Sequence, residues 1–249
     1  MASYRYTRDI QPQDTAPASQ APAPMTRRQK WDNFWFYHKW HVVAAVVAAL
    51  LVAGFVKEIV SQVEPDYQFG ILTHQSVPGG VTEALAEALT PLCGDRNGDG
   101  RVYVQVLAYE FNDNIPQGVM AATTRLASDM QVGESAFFFC DDPAAFAREG
   151  RNVFAANDGS ELAEEPDSET LAALGVDWDD CPVLRQLELP PLETGYGTID
   201  VAGMMRGYKV VRRTLGGYKW NEEEQAYFQD ADAMYRSWCG LEDGQGGEP

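Results

Sequence analysis

The sequence predicts an α/β fold, three layers deep, in which a mostly parallel sheet is flanked by helices and preceded by one transmembrane helix. Three observations predict it. Residues 40–56 (WHVVAAVVAALLVAGFV) are apolar apart from His41 and are bounded by Lys39 and Lys57. Between residues 67 and 140, runs rich in β-branched and aromatic residues alternate with amphipathic helical runs. The charge is also divided: the first 40 residues carry six Arg or Lys against three acids, whereas 13 basic residues face 34 acids from Lys57 onward.

Residues 1–30 read as a disordered cytoplasmic tail, because the Pro-, Gln- and Ala-rich stretch QPQDTAPASQAPAPMT has no apolar periodicity to offset ordering entropy. Residues 31–64 are an aromatic lead-in and the membrane helix. A span needs about 20 apolar residues, and the segment 36–60 reaches that length when Phe36 and Tyr37 occupy the headgroup layer and Ile59 and Val60 continue the helix. Its partner is the lipid bilayer. Arg27, Arg28 and Lys30 lie close to its start, which places the N-terminus in the cytoplasm and the large acidic domain outside. A cleaved signal peptide is the competing reading, but Leu51-Val52-Ala53 is a poor cleavage site and the basic region is long, so a retained signal anchor is expected.

The exterior domain, residues 66–241, opens with a buried strand at 67–73 (YQFGILT). Pro78-Gly79-Gly80 turns the chain into a helix over 81–93, where Val81, Leu85, Ala88, Leu89 and Leu92 share one face. A second strand spans 102–109, a second helix 117–130, and a third strand 136–140 (AFFFC). Asp142 followed by Pro143 is an N-cap and first helical residue, opening a short helix through Arg148. Strands this apolar, joined through helices, imply parallel pairing with both faces covered. Residues 157–182 hold nine acids and form an exposed excursion with one short helix near 168–174. Loops and short strands follow through Gly203. A closing helix at 222–238 is capped by Asn221 with Glu224 three residues on, and residues 242–249 are a polar tail.

The order strand, helix, strand, helix, glycine, strand over residues 66–148, with LASDMQVG at 126–133 leading into the third strand, resembles the first lobe of type-2 extracellular solute-binding proteins. That resemblance implies a ligand cleft near the end of the third strand and a solute-sensing or transport-accessory role. The stretch KWDNFWFYHKW at 30–40 is similar to the juxtamembrane opening of uncharacterised single-pass membrane proteins from anaerobic Gram-positive bacteria, which implies a cell-membrane location.

Chemistry is sparse. The motif DRNGDGR at 95–101 matches the first half of a calcium loop, with Asp95, Asn97 and Asp99 as metal candidates, but Tyr103 and Val106 occupy its ninth and twelfth positions. The alternative is a helix-to-strand turn in which Gly98 and Gly100 supply positive φ. No other cofactor is expected. Of the three histidines, His38 and His41 lie in the membrane approach and His74 follows the first strand, where a solvated loop residue is the plain expectation. No Gly-x-Ser-x-Gly, HExxH or phosphate loop occurs. The acid pairs Asp141/Asp142 and Asp179/Asp180 suit caps or solvated faces. Lys209, Arg212 and Arg213 suit internal pairing with the acidic excursion. Cys93, Cys140, Cys181 and Cys239 permit two disulfides in three connectivities. An acidic exterior repels nucleic acid. A non-enzymatic envelope binding protein is the expected function, its partner an envelope protein or a solute. A solute-sensing accessory and a wall-acting enzyme are the alternatives.

Overall fold

A computed structural model describes residues 25–60, 64–195 and 197–241. The two predicted tails fall largely or wholly outside them. The chain divides into two compact units, Met1–Gln62 and Val63–Pro249.

Among the described residues the first unit contains one helix, α1 (Arg27–Val60). It starts at Arg27 because Thr26 and Gln29 cap it reciprocally: the Thr26 N–H donates to Gln29 Oε1 (3.0 Å) and the Gln29 N–H to Thr26 Oγ1 (3.4 Å). The stretch Arg27–Phe55 is long and apolar enough to cross a membrane, and none of its apolar window is buried among the described residues. Trp40 and Leu51 are 72% and 70% exposed.

In the second unit the elements are β1 (Tyr67–Thr73), α2 (Val81–Leu89), β2 (Val104–Glu110), α3 (Pro116–Val132), β3 (Ser135–Cys140), α4 (Pro143–Arg148), α5 (Ser168–Ala172), β4 (Val176–Asp177), β5 (Leu192–Thr194), β6 (Gly197–Ile199), α6 (Val201–Met205), β7 (Lys209–Arg212) and α7 (Glu222–Cys239). β1 pairs parallel with both β2 and β3, as the alternating pattern predicts. The central sheet has the order β2-β1-β3-β7-β4, with β7 antiparallel to both of its neighbours. β5 and β6 form a separate hairpin.

Local chemistry sets the boundaries. Pro91 lacks an N–H, so α2 stops at Leu89 and the chain continues as a single 3₁₀ turn, Thr90–Leu92, instead of reaching residue 93 as α-helix. β2 begins at Val104, two residues after the expected start, because the Tyr103 N–H donates to the Asp66 carboxylate (2.8 Å). Gly133 ends α3 in the left-handed region at φ 80°. The Asp142 side chain caps α4 by accepting the Ala145 N–H, and Asn221 with Glu224 completes the capping box of α7.

The strands alternate between two apolar clusters. Phe69, Ile71, Val106, Phe137, Phe139 and Val210 pack with α2, α6 and α7. Leu72, Tyr109, Phe138, Cys140 and Val211 pack with Leu126 and Met130 of α3 and Phe146 of α4. The run Phe137–Phe139 therefore feeds both, each ring contributing about 1.5–3 kcal/mol on burial. Gly70 makes room for rings from both neighbouring strands on one face of the sheet: a Cβ there would lie 2.5 Å from Phe138 Cδ1 and 3.0 Å from Tyr109 Cε2.

β2 is the outer strand of this sheet, in unbroken register with β1 over seven pairs from Tyr67↔Val104 to Thr73↔Glu110. Since the Phe111 N–H donates to the Thr73 carbonyl, the odd-numbered residues of β2 turn their backbone groups toward β1. Those of Val104, Val106 and Ala108 point away from β1, with Val104 and Val106 only 3% and 6% exposed.

Candidate functional site

The carboxyl ends of parallel strands are where α/β sheets place ligand chemistry, and here they bring together residues far apart in sequence. Thr73 and His74 follow from β1, Glu110 ends β2, Asp141 follows β3, and Tyr208 precedes β7. Asp141 Oδ2 accepts the Thr73 hydroxyl (2.9 Å) and the His74 N–H (2.8 Å). Its Oδ1 accepts the Asp142 N–H (2.8 Å) and lies 3.1 Å from His74 Nδ1. His74 Nε2 faces Glu149 Oε1 at 3.3 Å, Glu149 also holds Arg151 (3.0 Å), and the imidazole packs 4.2 Å from the Phe146 ring. Tyr208 donates its hydroxyl to Thr73 Oγ1 (3.0 Å).

His74 is thus not the free loop residue expected from the sequence. Both ring nitrogens are turned to carboxylates, and the one hydroxyl beside Asp141, that of Thr73, is fully buried. The cluster clamps the chain leaving β1 to the chain leaving β3. Asp142 serves as the α4 cap, and Asp179 sits in a 3₁₀ turn 3.7 Å from Arg206, well away in sequence and element from this cluster.

The loop at 95–101 folds around its own side chains. Asp95 accepts the Gly98 N–H (2.7 Å) and the Gly100 N–H (2.8 Å), Asn97 Oδ1 accepts the Asp99 N–H (2.9 Å), and Asp99 Oδ1 accepts the Arg101 N–H (2.8 Å). Gly98 and Gly100 have φ of 72° and 82°. The organising residue is one the loop motif does not contain: Asp66 receives the N–H groups of Arg96, Asn97 and Tyr103. Burial pushes the Asp66 carboxyl up, but these donors outweigh burial and hold it below the ordinary carboxylate value. Among the described residues, no three His, Cys, Asp or Glu side chains gather as a metal ion requires.

The basic cluster divides. Lys209 pairs with Asp177 of the acidic excursion at 3.8 Å, as expected. Arg212 donates to the Asn157 carbonyl (2.9 Å) and pairs with Asp232 of α7. Arg213 departs from the expectation: it is buried, donates to the carbonyls of Ser135 (2.7 Å) and Met130 (3.1 Å), and faces Asp129 of α3 at 3.6 Å. The two consecutive arginines thus take different acidic partners, one on α7 and one on α3.

Beside these arginines, between α7 and the segments around residues 155–161 and 212–220, lies a cavity of about 400 Å³. Trp220, Phe228, Tyr235 and Phe137 form its aromatic walls, and Arg212 and Arg213 reach it. The residues come from four separate segments, and nothing in the sequence marked them as a group. No family model matches this chain, and no curated protein or solved structure matches it either.

Proposed function

We propose that this chain is a single-pass membrane protein whose acidic, three-layer α/β domain lies outside the cell and acts as a non-enzymatic binding protein of the envelope. The observation that carries this reading is α1. Its apolar window has no covering among the described residues, and Trp40, Leu50 and Leu51 are each more than two-thirds exposed. A bilayer is the solvent that relieves such a surface. Arg27, Arg28 and Lys30 at its first turn support a cytoplasmic N-terminus. The acidic exterior favours basic partners over nucleic acid. The engagement of His74 and Asp141 with each other and with Thr73 and Glu149 favours a structural role for that cluster.

Protease added to cells stripped of their wall should remove the chain beyond about residue 66 and spare an N-terminal epitope. Protection of the C-terminal domain would overturn the orientation.

For the loop at Asp95, Asn97 and Asp99, the expected outcome is one melting temperature in chelator and in saturating calcium, since its oxygens already accept backbone N–H groups. A rise with calcium that Asp99→Ala abolishes would assign these residues to the metal instead.

A second reading, a solute-sensing domain, is favoured by the cavity beside α7. Its volume falls in the range of small-molecule sites, and it combines aromatic walls with a few polar groups.

A further inference from the structure

We propose that the outer face of α3 is a contact surface between two copies of this chain, which meet across a two-fold axis. The proposal goes beyond the binding reading above and requires no ligand.

α3 has one covered side and one bare side. Ala122, Leu126 and Met130 pack into the core. Gln117, Met120, Ala121, Thr124, Ser128 and Gln131 recur at helical spacing on the opposite side, and all six are exposed. Two properties set this side apart. The first is apolar surface. Among the described residues of the exterior domain, the three most exposed large apolar side chains are Met120 (74%), Val132 (55%) and Ile115 (50%), all on α3 or at its N-cap. Exposed apolar groups gathered on one element mark an interaction surface more often than scattered ones do. The second is charge. The only acid in the 17 residues of α3 is Asp129, and it is buried. By contrast, α2 exposes Glu83 and Glu87, and α7 exposes Glu222, Glu223 and Asp230.

Charge decides the occupant. A basic partner finds its complement on the acids of the other helices, and α3 offers it none. The face suits a partner as acidic as the chain itself, since it brings no carboxylate to the contact. A second copy is such a partner, with the same net charge of −18. A two-fold contact sets a patch against its own image. An acidic patch would there oppose its own charges, and this face does not. Arg125, the one exposed charge of α3, stands to the side, where it lines a groove with Gln105 and Leu107 of β2.

The middle of the face permits close approach. Ala121, Thr124 and Ser128 are small, which lets a second helix come to an axial distance of about 8–10 Å. The Thr124 hydroxyl already donates to the Met120 carbonyl (3.0 Å), so covering it strands no donor. Met120 adds apolar area that a neighbour removes from water.

The test uses the full chain, labelled at its N-terminus with a donor or an acceptor dye and mixed in phospholipid vesicles. Energy transfer should exceed the level set by random proximity and rise with the protein-to-lipid ratio. Thr124→Glu and Met120→Glu each bring carboxylates to the contact. Each should raise the ratio at half-maximal transfer at least tenfold without lowering the melting temperature. Gln229→Glu adds the same charge at an exposed position of α7 and should leave that ratio within twofold. p-Benzoylphenylalanine placed at Gln117 and irradiated in cells should give an adduct of twice the chain mass. Transfer at the random level in the parent overturns the proposal, as does equal association of the parent and Thr124→Glu. An equal loss in Gln229→Glu would trace the effect to net charge and overturn it too. An adduct of any other mass would assign the face to a different protein.

Discussion

Replacing Asp129 with alanine should cost the exterior domain about 3–5 kcal/mol, because it strands a buried cation and three other donors at once. Asp129 and Arg213 are 2% and 5% exposed. With the carboxylate gone, the Arg213 guanidinium keeps only carbonyl partners, and the Tyr109 hydroxyl, the Ser135 hydroxyl and the Ser135 N–H lose their acceptor. Burial first, and the Asp129 charge second, already push the Tyr109 phenol far above its ordinary range, so ionisation of the phenol offers no relief. For a domain of this size, such a loss lowers the melting temperature by roughly 6–20 °C. Urea unfolding of parent and Asp129→Ala proteins measures it. A difference under 1 kcal/mol would mean that backbone carbonyls alone hold Arg213 in place.

Under oxidising conditions the protein should acquire one disulfide, Cys181–Cys239. Their sulfurs lie 3.3 Å apart and both residues are buried, Cys181 beside a 3₁₀ turn and Cys239 at the end of α7. The two disulfides that four cysteines permit thus reduce to this one pair, with Cys93 and Cys140 left as thiols. The residues are 58 apart in sequence, a loop for which the chain-entropy model gives about 4 kcal/mol, and native disulfides commonly contribute 2–4 kcal/mol. Its formation is not spontaneous chemistry of an exposed thiol. The hydrogen bond with Cys181, then burial, raises the Cys239 thiol far above its ordinary value, while burial pushes Cys93 up to about 12. A glutathione redox buffer should therefore form the bond slowly, with a mass loss of about 2 Da and a melting temperature higher by roughly 5–12 °C. Cys93→Ser should leave the result unchanged and Cys239→Ser should abolish it. A link through Cys93 or Cys140 would refute the assignment.

Most of the fold is legible where local pattern and tertiary role coincide. The fully buried strands β1 and β3 announce themselves as short unbroken apolar runs, and α7 announces itself by Asn221 and Glu224 as well as by its stripe. β7 and β4 were hidden because four and two residues carry no usable period, and β7 is flanked by charges that belong to side chains turned in opposite directions. Site residues were less legible. His74 and Asp141 are 67 residues apart, and only the parallel pairing of β1 with β3 sets their strand ends side by side. Asp129 reads as an ordinary polar position of α3. Its burial depends on Arg213 arriving 84 residues later on a strand that the sequence does not display.

The outer strand β2 has few guards of its own against another chain. Residues 104–109 contain no charge and no proline and the register shows no bulge, so what protects the edge is Glu110 at its end and the packing that leaves Val104 and Val106 only 3% and 6% exposed. Beyond these acts the electrostatic atmosphere of the molecule, whose net charge is −18. A guard of that kind has a range fixed by the medium: about 10 Å at 0.1 M salt and about 3 Å at 1 M. Repulsion between copies is thereby tied to ionic strength, and in brine the seven-residue strand is left to its local guards.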